Sequence, residues 1–423
     1  MKIFMDAMGH IPHVSVGDQA LIGGAIEILR RKFKDAEFIF FCKYPVHERI
    51  YLDQMNFDYE IVNRSHNQYI AAYQYRKLAK ASDVVFSAWG DGFITYPPHL
   101  MYRKTCCVRT KKTPLTLCSS SMGPFAPSGP RRWLVKTSLE KYDYLSVRDT
   151  ITYRYVKELG IDKVEMIPDT AFALKPCSST RVNEIFEIEK IPQDKPLIGF
   201  NLGIEFMRFC EKNEIDFIEI CLNVINRFRE THNCSVVLIP HQYLYKQYDY
   251  NSVTNLTFES HDDRYPIQRV LDALDRHDDV YSLKDVYSCS ELKGVIGAME
   301  VFICNRIHPS VASTSQYVPT AILHYTHKAK GMMDLIGKAE YVWHPKNLPN
   351  EKQQDVSTKG LFNMIDRLWD SRDEYRKDLQ EIMPRIIDMT FSLGDRVGEV
   401  MNNNGYKKVA GTYPLLQKNM FHG

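Results

Sequence analysis

The sequence lacks the features that define several common classes of protein. No uninterrupted apolar run approaches the length of a membrane-spanning helix. The net charge over 423 residues is only +2, which argues against a nucleic-acid binder with a strongly basic surface. We therefore expect a soluble protein that touches a membrane at most peripherally and binds no nucleic acid.

Cysteine and glycine patterns exclude further classes. The ten cysteines include no Cys-x-x-Cys pair, and most of them lie in apolar runs that predict buried thiols. This usage, and an N-terminus that enters a predicted strand without a signal-peptide pattern, favour a cytoplasmic location. The sequence also lacks a G-x-G-x-x-G fingerprint and a P-loop, which leaves dinucleotide and ordinary ATP chemistry without support.

What is present is an alternation of short apolar runs with helical periodicity. Strands are predicted at residues 3–5, 38–42, 84–88, 115–119, 144–147 and 164–167, and again at 197–201, 236–240, 280–283, 301–304 and 320–324. This pattern predicts an α/β protein with parallel sheets covered by helices. The length predicts two domains, at residues 1–175 and 197–355, with a linker at 176–196. We expect residues 356–423 to form helices, at 361–379 and 382–401, that pack across the domains.

Polar loops follow several of the predicted strands in the first half, at residues 15–18, 89–93, 119–124 and 146–149. Ligands of open α/β sheets bind outside the carboxyl ends of the strands. Arg148 offers a planar fork that matches a carboxylate or a phosphate, although a structural ion pair with Asp149 explains it equally well. Asp18 is predicted to be the N-cap of the first helix.

The second half places a cation and a titratable group after an apolar strand. Arg306 and His308 follow residues 301–304, which predicts an anionic substrate and makes His308 the best acid or base. His241 also ends a predicted strand, but a loop histidine with satisfied hydrogen bonds is the more common case. Lys328 could add to the same cationic cleft.

Two polar segments and one basic cluster have simpler interpretations. Residues 261–263 and 277–279 are His-Asp-Asp sequences that resemble carboxylate metal sites, but neither has a third ligand at a recognisable spacing. We expect both to be solvated faces, and we expect no metal. A basic cluster could approach a membrane surface or a lipid diphosphate, or it could be a charged exterior; its members are Arg103, Lys104, Arg109, Lys111, Lys112, Arg131 and Arg132.

Taken in order, these motifs resemble the polysaccharide pyruvyl transferase family from Ser15 to about Gly337. The set consists of Gly17-Asp18, Ser-Met-Gly-Pro-Phe at 121–125, Ser-Val-Arg-Asp at 146–149, Pro-Asp-Thr-Ala at 168–171, Arg-Ile-His at 306–308 and Tyr-Thr-His-Lys at 325–328. The resemblance implies two Rossmann-like, doubly wound domains that face each other across a cleft, as in GT-B glycosyltransferases. It also implies phosphoenolpyruvate as the donor and a sugar diol as the acceptor, which yields a pyruvate ketal.

The resemblance assigns roles to nine residues. The catalytic pair would be His308 and Arg148; the donor would bind to Arg148, Arg306, His308, Lys328, Ser121 and Gly123; the acceptor would bind to Asp18, Asp91 and His241. No cofactor is implied. The acceptor is expected to be lipid-linked at the cytoplasmic face of the membrane, and an oligomer is compatible with the sequence.

Two other functional classes are compatible with the same architecture. One is a GT-B-type glycosyltransferase in which Arg306 and Lys328 would neutralise a nucleotide diphosphate, with Asp285 or Glu291 on the ribose. The other is a binding protein that has kept the cleft without catalysis. Fold alone does not separate these classes.

Overall fold

The computed structural model describes residues 1–6, 14–55, 57–95, 97–123, 129–244, 256–325, 328–347 and 354–402. These residues form two compact units. Unit 1 holds the described residues of Met1–His13, Leu21–Leu174 and Arg385–Gly423, and unit 2 holds those of Val14–Ala20 and Lys175–Pro384. Of the described residues in the first predicted domain, 1–175, all but eight belong to unit 1; the eight are residues 14–20 and Lys175.

Unit 1 is built on a parallel sheet with the order β3-β2-β1-β4-β5-β6-β7. Its strands are β1 (Lys2–Asp6), β2 (Glu37–Cys42), β3 (Tyr59–Asn63), β4 (Val84–Ser87), β5 (Leu115–Ser120), β6 (Tyr144–Val147) and β7 (Glu165–Met166). The helices that follow them in the chain are α1 (Val16–Lys32), α2 (Pro45–Leu52), α3 (Gln68–Ala81), α4 (Gly92–Thr95), α5 (Pro98–Val108), α6 (Pro130–Leu139) and α7 (Thr150–Glu158). Chain order reverses direction between β1 and β4, as in a doubly wound fold.

Helices cover both faces of this sheet because side chains alternate along each strand. On β1, Ile3 and Met5 belong to a core that α1 helps to form, whereas Phe4 belongs to a second core on the other face. Residues of α3, α5 and α6 contribute to that second core. Each of the two cores is apolar because both faces of the sheet are buried.

Unit 2 repeats the architecture with the strand order β10-β9-β8-β11-β12-β13, again fully parallel. Its strands are β8 (Leu197–Asn201), β9 (Ser235–Ile239), β10 (Val280–Ser282), β11 (Val301–Cys304), β12 (Thr320–Leu323) and β13 (Val342–Trp343). Its helices are α8 (Ser179–Glu189), α9 (Ile204–Lys212), α10 (Phe217–His232), α11 (Phe258–His261), α12 (Arg264–Asp272), α13 (Cys289–Gly297), α14 (Ile307–Thr314), α15 (Lys328–Leu335) and α16 (Thr358–Asp370). A last helix, α17 (Arg372–Asn402), begins in unit 2, and its residues from Arg385 onward belong to unit 1. The chain switches direction between β8 and β11.

The predicted α/β class, with two doubly wound parallel sheets, is confirmed. Two edge strands, β3 and β13, were missed by the sequence prediction. The predicted break between the last two helices, at residues 380–381, is wrong: α16 ends at Asp370 and α17 runs unbroken from Arg372 through Pro384 to Asn402. The segment predicted as a linker contains α8, and residues 403–423 of the predicted C-terminal helices lie outside the described residues.

The described helices include none that combines the length and the hydropathy needed to cross a bilayer. The ten cysteines are free thiols, and seven of them are buried, as their apolar surroundings in the sequence predicted.

Candidate functional site

The nine predicted site residues divide between the two units. Unit 1 contains Asp91, Ser121, Gly123 and Arg148, and unit 2 contains Asp18, His241, Arg306, His308 and Lys328. In each unit they follow strands at the carboxyl edge of the sheet, or lie on the chain segment that pairs with that edge.

In unit 1, Arg148 is the centre of a buried ion cluster at the end of β6. Its guanidinium pairs with Asp169 through Nη1 and with Asp91 Oδ1 through Nη2 at 2.8 Å. Its Nε donates to Ser121 Oγ at 2.8 Å. The Arg148 side chain is 4% exposed, whereas that of Asp91 is 35% exposed. Asp91 is therefore the part of this cluster that solvent or a ligand reaches.

The charges of this cluster favour an ionised arginine. Burial by itself would lower the pKa of Arg148, but the carboxylates of Asp169, Asp91 and Asp149 together raise it above the ordinary value. One guanidinium thus faces three carboxylates. The sequence left open a structural ion pair with the adjacent Asp149; the ion pairs observed join Arg148 to Asp169 and Asp91, which are far from it in the chain.

Ser121 links this cluster to the start of α7. Its hydroxyl donates to Asp149 Oδ2 at 2.8 Å, and Asp149 caps α7 by accepting from the Thr152 amide at 2.7 Å. Gly123 has φ +59°, and a Cβ there would lie 2.5 Å from the Tyr155 ring, so only glycine fits. Pro124 and Phe125 of the predicted motif lie outside the described residues.

In unit 2, the segment before α1 is held against the end of β9. Ser15 and Gln242 form an antiparallel bridge, and the Tyr243 amide donates to the Val14 carbonyl at 2.8 Å. The Val16 amide donates to the His241 carbonyl at 3.2 Å. These bonds bring the first turn of α1 to the carboxyl edge of the second sheet.

The prediction that Asp18 is the N-cap of α1 is wrong. The helix begins at Val16, and the Asp18 amide donates to Ser15 Oγ at 3.2 Å, while the Ser15 carbonyl accepts from Gln19 at 3.1 Å. Ser15 is therefore the capping residue. The Asp18 carboxylate lies in the first turn, where the helix dipole favours a negative charge.

His308 packs directly on Gly17. A Cβ placed on Gly17 would lie 2.2 Å from His308 Nδ1, which no real contact allows. His308 is the second residue of α14 and is half-buried. Glycine at position 17 is thus what allows the imidazole to lie against the start of α1.

Arg306 is anchored by a buried carboxylate that the sequence prediction misjudged. Arg306 Nη2 donates to Asp263 Oδ1 at 2.8 Å, and Asp263 also accepts from the amides of Ile204 and His241, each at 2.9 Å. The side chains of Asp262 and Asp263 are both 0% exposed. The predicted solvated face at 261–263 is therefore wrong: the two carboxylates brace loops from distant parts of the chain.

The guanidinium of Arg306 keeps unused hydrogen-bonding capacity. Within the described residues, its Nε and the neighbouring Asn305 Nδ2 are buried donors without a partner. Burial would lower the pKa of Arg306, but the charge of Asp263 and the proximity of Tyr325 raise it. The side chain stays cationic and is 17% exposed, so part of it remains open to a ligand.

His241 shares this environment as a neutral base. Its pKa lies well below the ordinary value because of burial first, and then because of the charges of His308 and Arg306. Asp263 links two of these residues, because it accepts from the His241 amide and pairs with Arg306. That these residues form one cationic cleft stays a prediction.

Lys328 begins α15, one strand further along the edge, after β12. It is half-buried, and Thr326 and His327 of its motif lie outside the described residues. Glu291, the candidate ribose ligand of the glycosyltransferase alternative, closes a capping box with Ser288 and pairs with Arg181 at 2.8 Å. The Glu291 carboxylate therefore serves to cap α13 and to pair with Arg181.

Asp263, Asp169 and Gly17 belong to these clusters, and the sequence analysis gave them no role of their own. Asp263 sits in a polar run that looks like a surface loop, and nothing in that run signals its partners. Asp169, like Gly17, was part of a motif. In the described part of the chain, no group of three or more histidine, cysteine, aspartate or glutamate side chains is arranged to hold a metal ion.

Solved structures of an epimerase and a glycosyltransferase have a similar fold. UDP-GlcNAc 2-epimerase from Neisseria meningitidis, bound to UDP-GlcNAc, aligns with a TM-score of 0.62 at 12% identity, over 95% of this chain and 100% of that one. A glycosyltransferase from Rickettsia africae aligns with a TM-score of 0.57 at 11% identity, over 96% and 99%. At these identities the similarity shows the GT-B-like fold alone.

Sequence comparison is more specific. Amylovoran biosynthesis protein AmsJ from Erwinia amylovora is 20% identical over 342 residues, which cover 77% of this chain and 73% of that protein. The model of the family described as "Polysaccharide pyruvyl transferase" matches residues 16–327, which include eight of the nine predicted site residues. The chain belongs to the polysaccharide pyruvyl transferase family of enzymes.

Proposed function

We propose that this enzyme transfers the enolpyruvyl group of phosphoenolpyruvate to two hydroxyls of a hexose in a polysaccharide precursor. The product is a pyruvate ketal, and inorganic phosphate is released. The ketal adds a carboxylate to the glycan. In the proposed reaction no step uses a metal or a redox cofactor.

One observation carries the proposal: the His308 imidazole lies on Gly17 beside Arg306 and His241. Phosphoenolpyruvate has a carboxylate and a phosphate on a compact frame, so its site needs convergent cations and donors. Arg306 supplies a fixed guanidinium with a spare Nε donor. Lys328, at the start of α15, is assigned to the phosphate.

The proposed chemistry needs one acid and two attacking hydroxyls. His308, as the imidazolium, donates a proton to the methylene carbon of the donor while the first sugar hydroxyl attacks the adjacent carbon. The carbon–oxygen bond to phosphate then breaks, and the second hydroxyl attacks the same carbon. The methylene gains one hydroxyl proton in net terms, and the released phosphate takes the other.

The neutral state of His241 suits a supporting role. A second imidazolium next to Arg306 and His308 would be disfavoured by the same charges that lower its pKa. A neutral His241 can accept a proton from an acceptor hydroxyl. We assign it to the acceptor, together with Asp18 in the first turn of α1.

In unit 1, Arg148 orients Asp91, whose carboxylate is the exposed member of that cluster. We assign Asp91 to a hydroxyl of the acceptor, and Arg148, Ser121 and Gly123 to the donor, as the family resemblance implies. We also propose that the acceptor is attached to a lipid carrier.

Thermal-shift titration tests the donor. A ligand that binds only the folded protein raises its melting temperature, so phosphoenolpyruvate is expected to stabilise the purified protein in a saturable manner. Arg306→Gln should abolish this shift because it removes the cation. UDP, UDP-GlcNAc and GDP serve as competitors. Stabilisation by a nucleotide sugar and none by phosphoenolpyruvate would assign the chain to glycosyl transfer.

Gly17→Ala tests the placement of His308. The new methyl group would displace the imidazole, so turnover is expected to fall by about tenfold to a hundredfold, as for a misplaced catalytic group. In the His308→Ala background the same substitution should cost almost nothing, because the two changes act on one interaction. Gly398→Ala is the control, since a Cβ there meets Lys32 only at an ordinary 3.4 Å. Equal losses in both backgrounds would contradict the assigned contact.

A further inference from the structure

Three helices of unit 1 carry a strongly one-sided charge. α3, α5 and α6 lie on the same face of the first sheet, where α5 contacts both neighbours. None of the three contains an aspartate or a glutamate, although the whole chain is almost neutral. Together they contain eight basic residues: Arg76, Lys77, Lys80, Arg103, Lys104, Arg131, Arg132 and Lys136. Lys104 forms a buried ion pair with Asp6 at 3.0 Å.

The same helices expose large apolar side chains. Of the eight such side chains that are strongly exposed in the described part of the chain, five lie on these three helices. They are Tyr69, Ile70, Tyr73, Leu100 and Trp133, with exposed fractions between 43% and 73%. Isolated exposed apolar residues are ordinary, but a concentration of this kind marks an interaction surface.

The apolar and basic residues are ordered in the same way on each helix. Tyr73 precedes Lys77, Leu100 precedes Arg103, and Trp133 precedes Lys136, in each case by three or four residues. Residues at this spacing share a helix face. Each helix therefore presents an apolar side chain near its start and a cation one turn behind it.

The starts of these helices lie at one edge of the sheet. In a parallel sheet a helix that follows a strand begins near the carboxyl end of that strand, and α3, α5 and α6 follow β3, β4 and β5. The exposed apolar residues are therefore on the edge that carries Asp91 and Arg148. A flat partner that approaches this edge would contact the apolar side chains first, and the cations would lie one helical turn behind them.

We propose that this face of unit 1, defined by Tyr69, Tyr73, Leu100 and Trp133 with the flanking cations, binds the surface of a membrane that contains anionic phospholipids. Aromatic and aliphatic side chains enter the boundary between headgroups and acyl chains, while lysine and arginine remain at the level of the phosphates. The charge complementarity and the apolar tips together favour a membrane over a purely polyanionic partner. The proposal deepens the proposed function, on which it rests only for the identity of the lipid-linked acceptor.

Co-sedimentation of the full chain with vesicles tests the proposal, without phosphoenolpyruvate or acceptor. Binding is expected to vesicles with about one third phosphatidylglycerol in phosphatidylcholine, and much less to phosphatidylcholine alone, because each basic residue near an anionic surface strengthens binding about fivefold. Lys77→Gln with Arg103→Gln should weaken binding about 25-fold. The matched control, Lys359→Gln with Lys377→Gln on exposed positions of unit 2, should not.

A second pair of variants separates membranes from other polyanions. Leu100→Ser with Trp133→Ser should weaken vesicle binding at least about tenfold, since apolar groups no longer enter the interface, whereas Ile188→Ser with Phe258→Ser should have no effect. If the Leu100/Trp133 pair binds as the parent does, or if the controls lose as much, the proposal is overturned. All variants should keep the thermal shift with phosphoenolpyruvate, so loss of membrane binding is distinguishable from failure of the proposed reaction.

Discussion

Replacement of His308 by alanine is expected to abolish pyruvyl transfer and leave both units folded. The imidazole is the proposed source of the proton for the donor methylene, and a positioned acid of this kind contributes about 100-fold to 10,000-fold to the rate. The imidazole packs on Gly17, and the side chain is half-buried. The measurement is release of inorganic phosphate from phosphoenolpyruvate in the presence of acceptor, together with a melting curve.

His277→Ala is the matched control, because that histidine is exposed in a loop of unit 2. Its turnover should equal that of the parent. The His308 variant should retain at least part of the thermal shift with phosphoenolpyruvate, since Arg306, the proposed anion-binding residue, is unchanged. Full turnover in the His308 variant would remove the residue from the mechanism, and loss of the melting transition would assign it to stability.

Replacement of Arg148 by methionine is expected to destabilise unit 1 by about 3–5 kcal/mol, the usual effect of removing one partner from a buried ion pair. The change leaves the carboxylate of Asp169 buried and uncompensated, and it also releases Asp91. Arg148→Lys should recover part of the stability and little activity, because a point charge cannot contact Asp169, Asp91 and Ser121 as the planar fork does. Urea unfolding followed by circular dichroism measures the first effect.

Arg103→Met is the control for this experiment, since Arg103 is an exposed arginine of the same unit, and its unfolding midpoint should not change. The comparison separates two roles for Arg148. A residue that only contacts the donor would lose the phosphoenolpyruvate shift with unchanged stability in the free protein. A midpoint equal to that of the parent would therefore contradict the structural role of the ion cluster.

The central strands of both sheets were predictable because each is buried on two faces. Strands such as β4 and β11 read as continuous apolar runs, which is typical of parallel sheets. The edge strands β3 and β13 were missed: β3 contains the polar residues Glu60 and Asn63 and has no fully buried residue, and β13 has only two residues. An edge strand is covered less completely, so its sequence carries a weaker signal.

The end of the chain shows a different limit. The predicted break between two helices at residues 380–381 does not exist, and α17 continues through Pro384. Proline disfavours a helix interior by about 3 kcal/mol, yet Leu379, Met383 and Ile386 are fully buried on this helix. The burial of this apolar face outweighs the cost of the proline. Helix propensity alone does not include the contribution of burial.

The carboxylates of the site mark a third limit. Asp18 looked like a cap and is not one, while Asp263 looked solvated and is the buried anchor of Arg306. Their roles depend on partners that are distant in the chain, such as Ile204 and His241 for Asp263. The local sequence does not indicate which distant residues will become the partners of a carboxylate.

The sequence by itself determined the class of fold, the order of the motifs and the family. Alternating apolar runs require sheets covered by helices, and polar residues after strands must meet at one edge of a parallel sheet. Only the tertiary structure decided which charged side chains are neutralised by ion pairs inside the protein. Arg148 is neutralised by carboxylates, whereas Arg306 retains an unused donor beside His308. The difference arises because burial makes an unpaired charge costly, and the partners that satisfy it are chosen by the packing of distant segments.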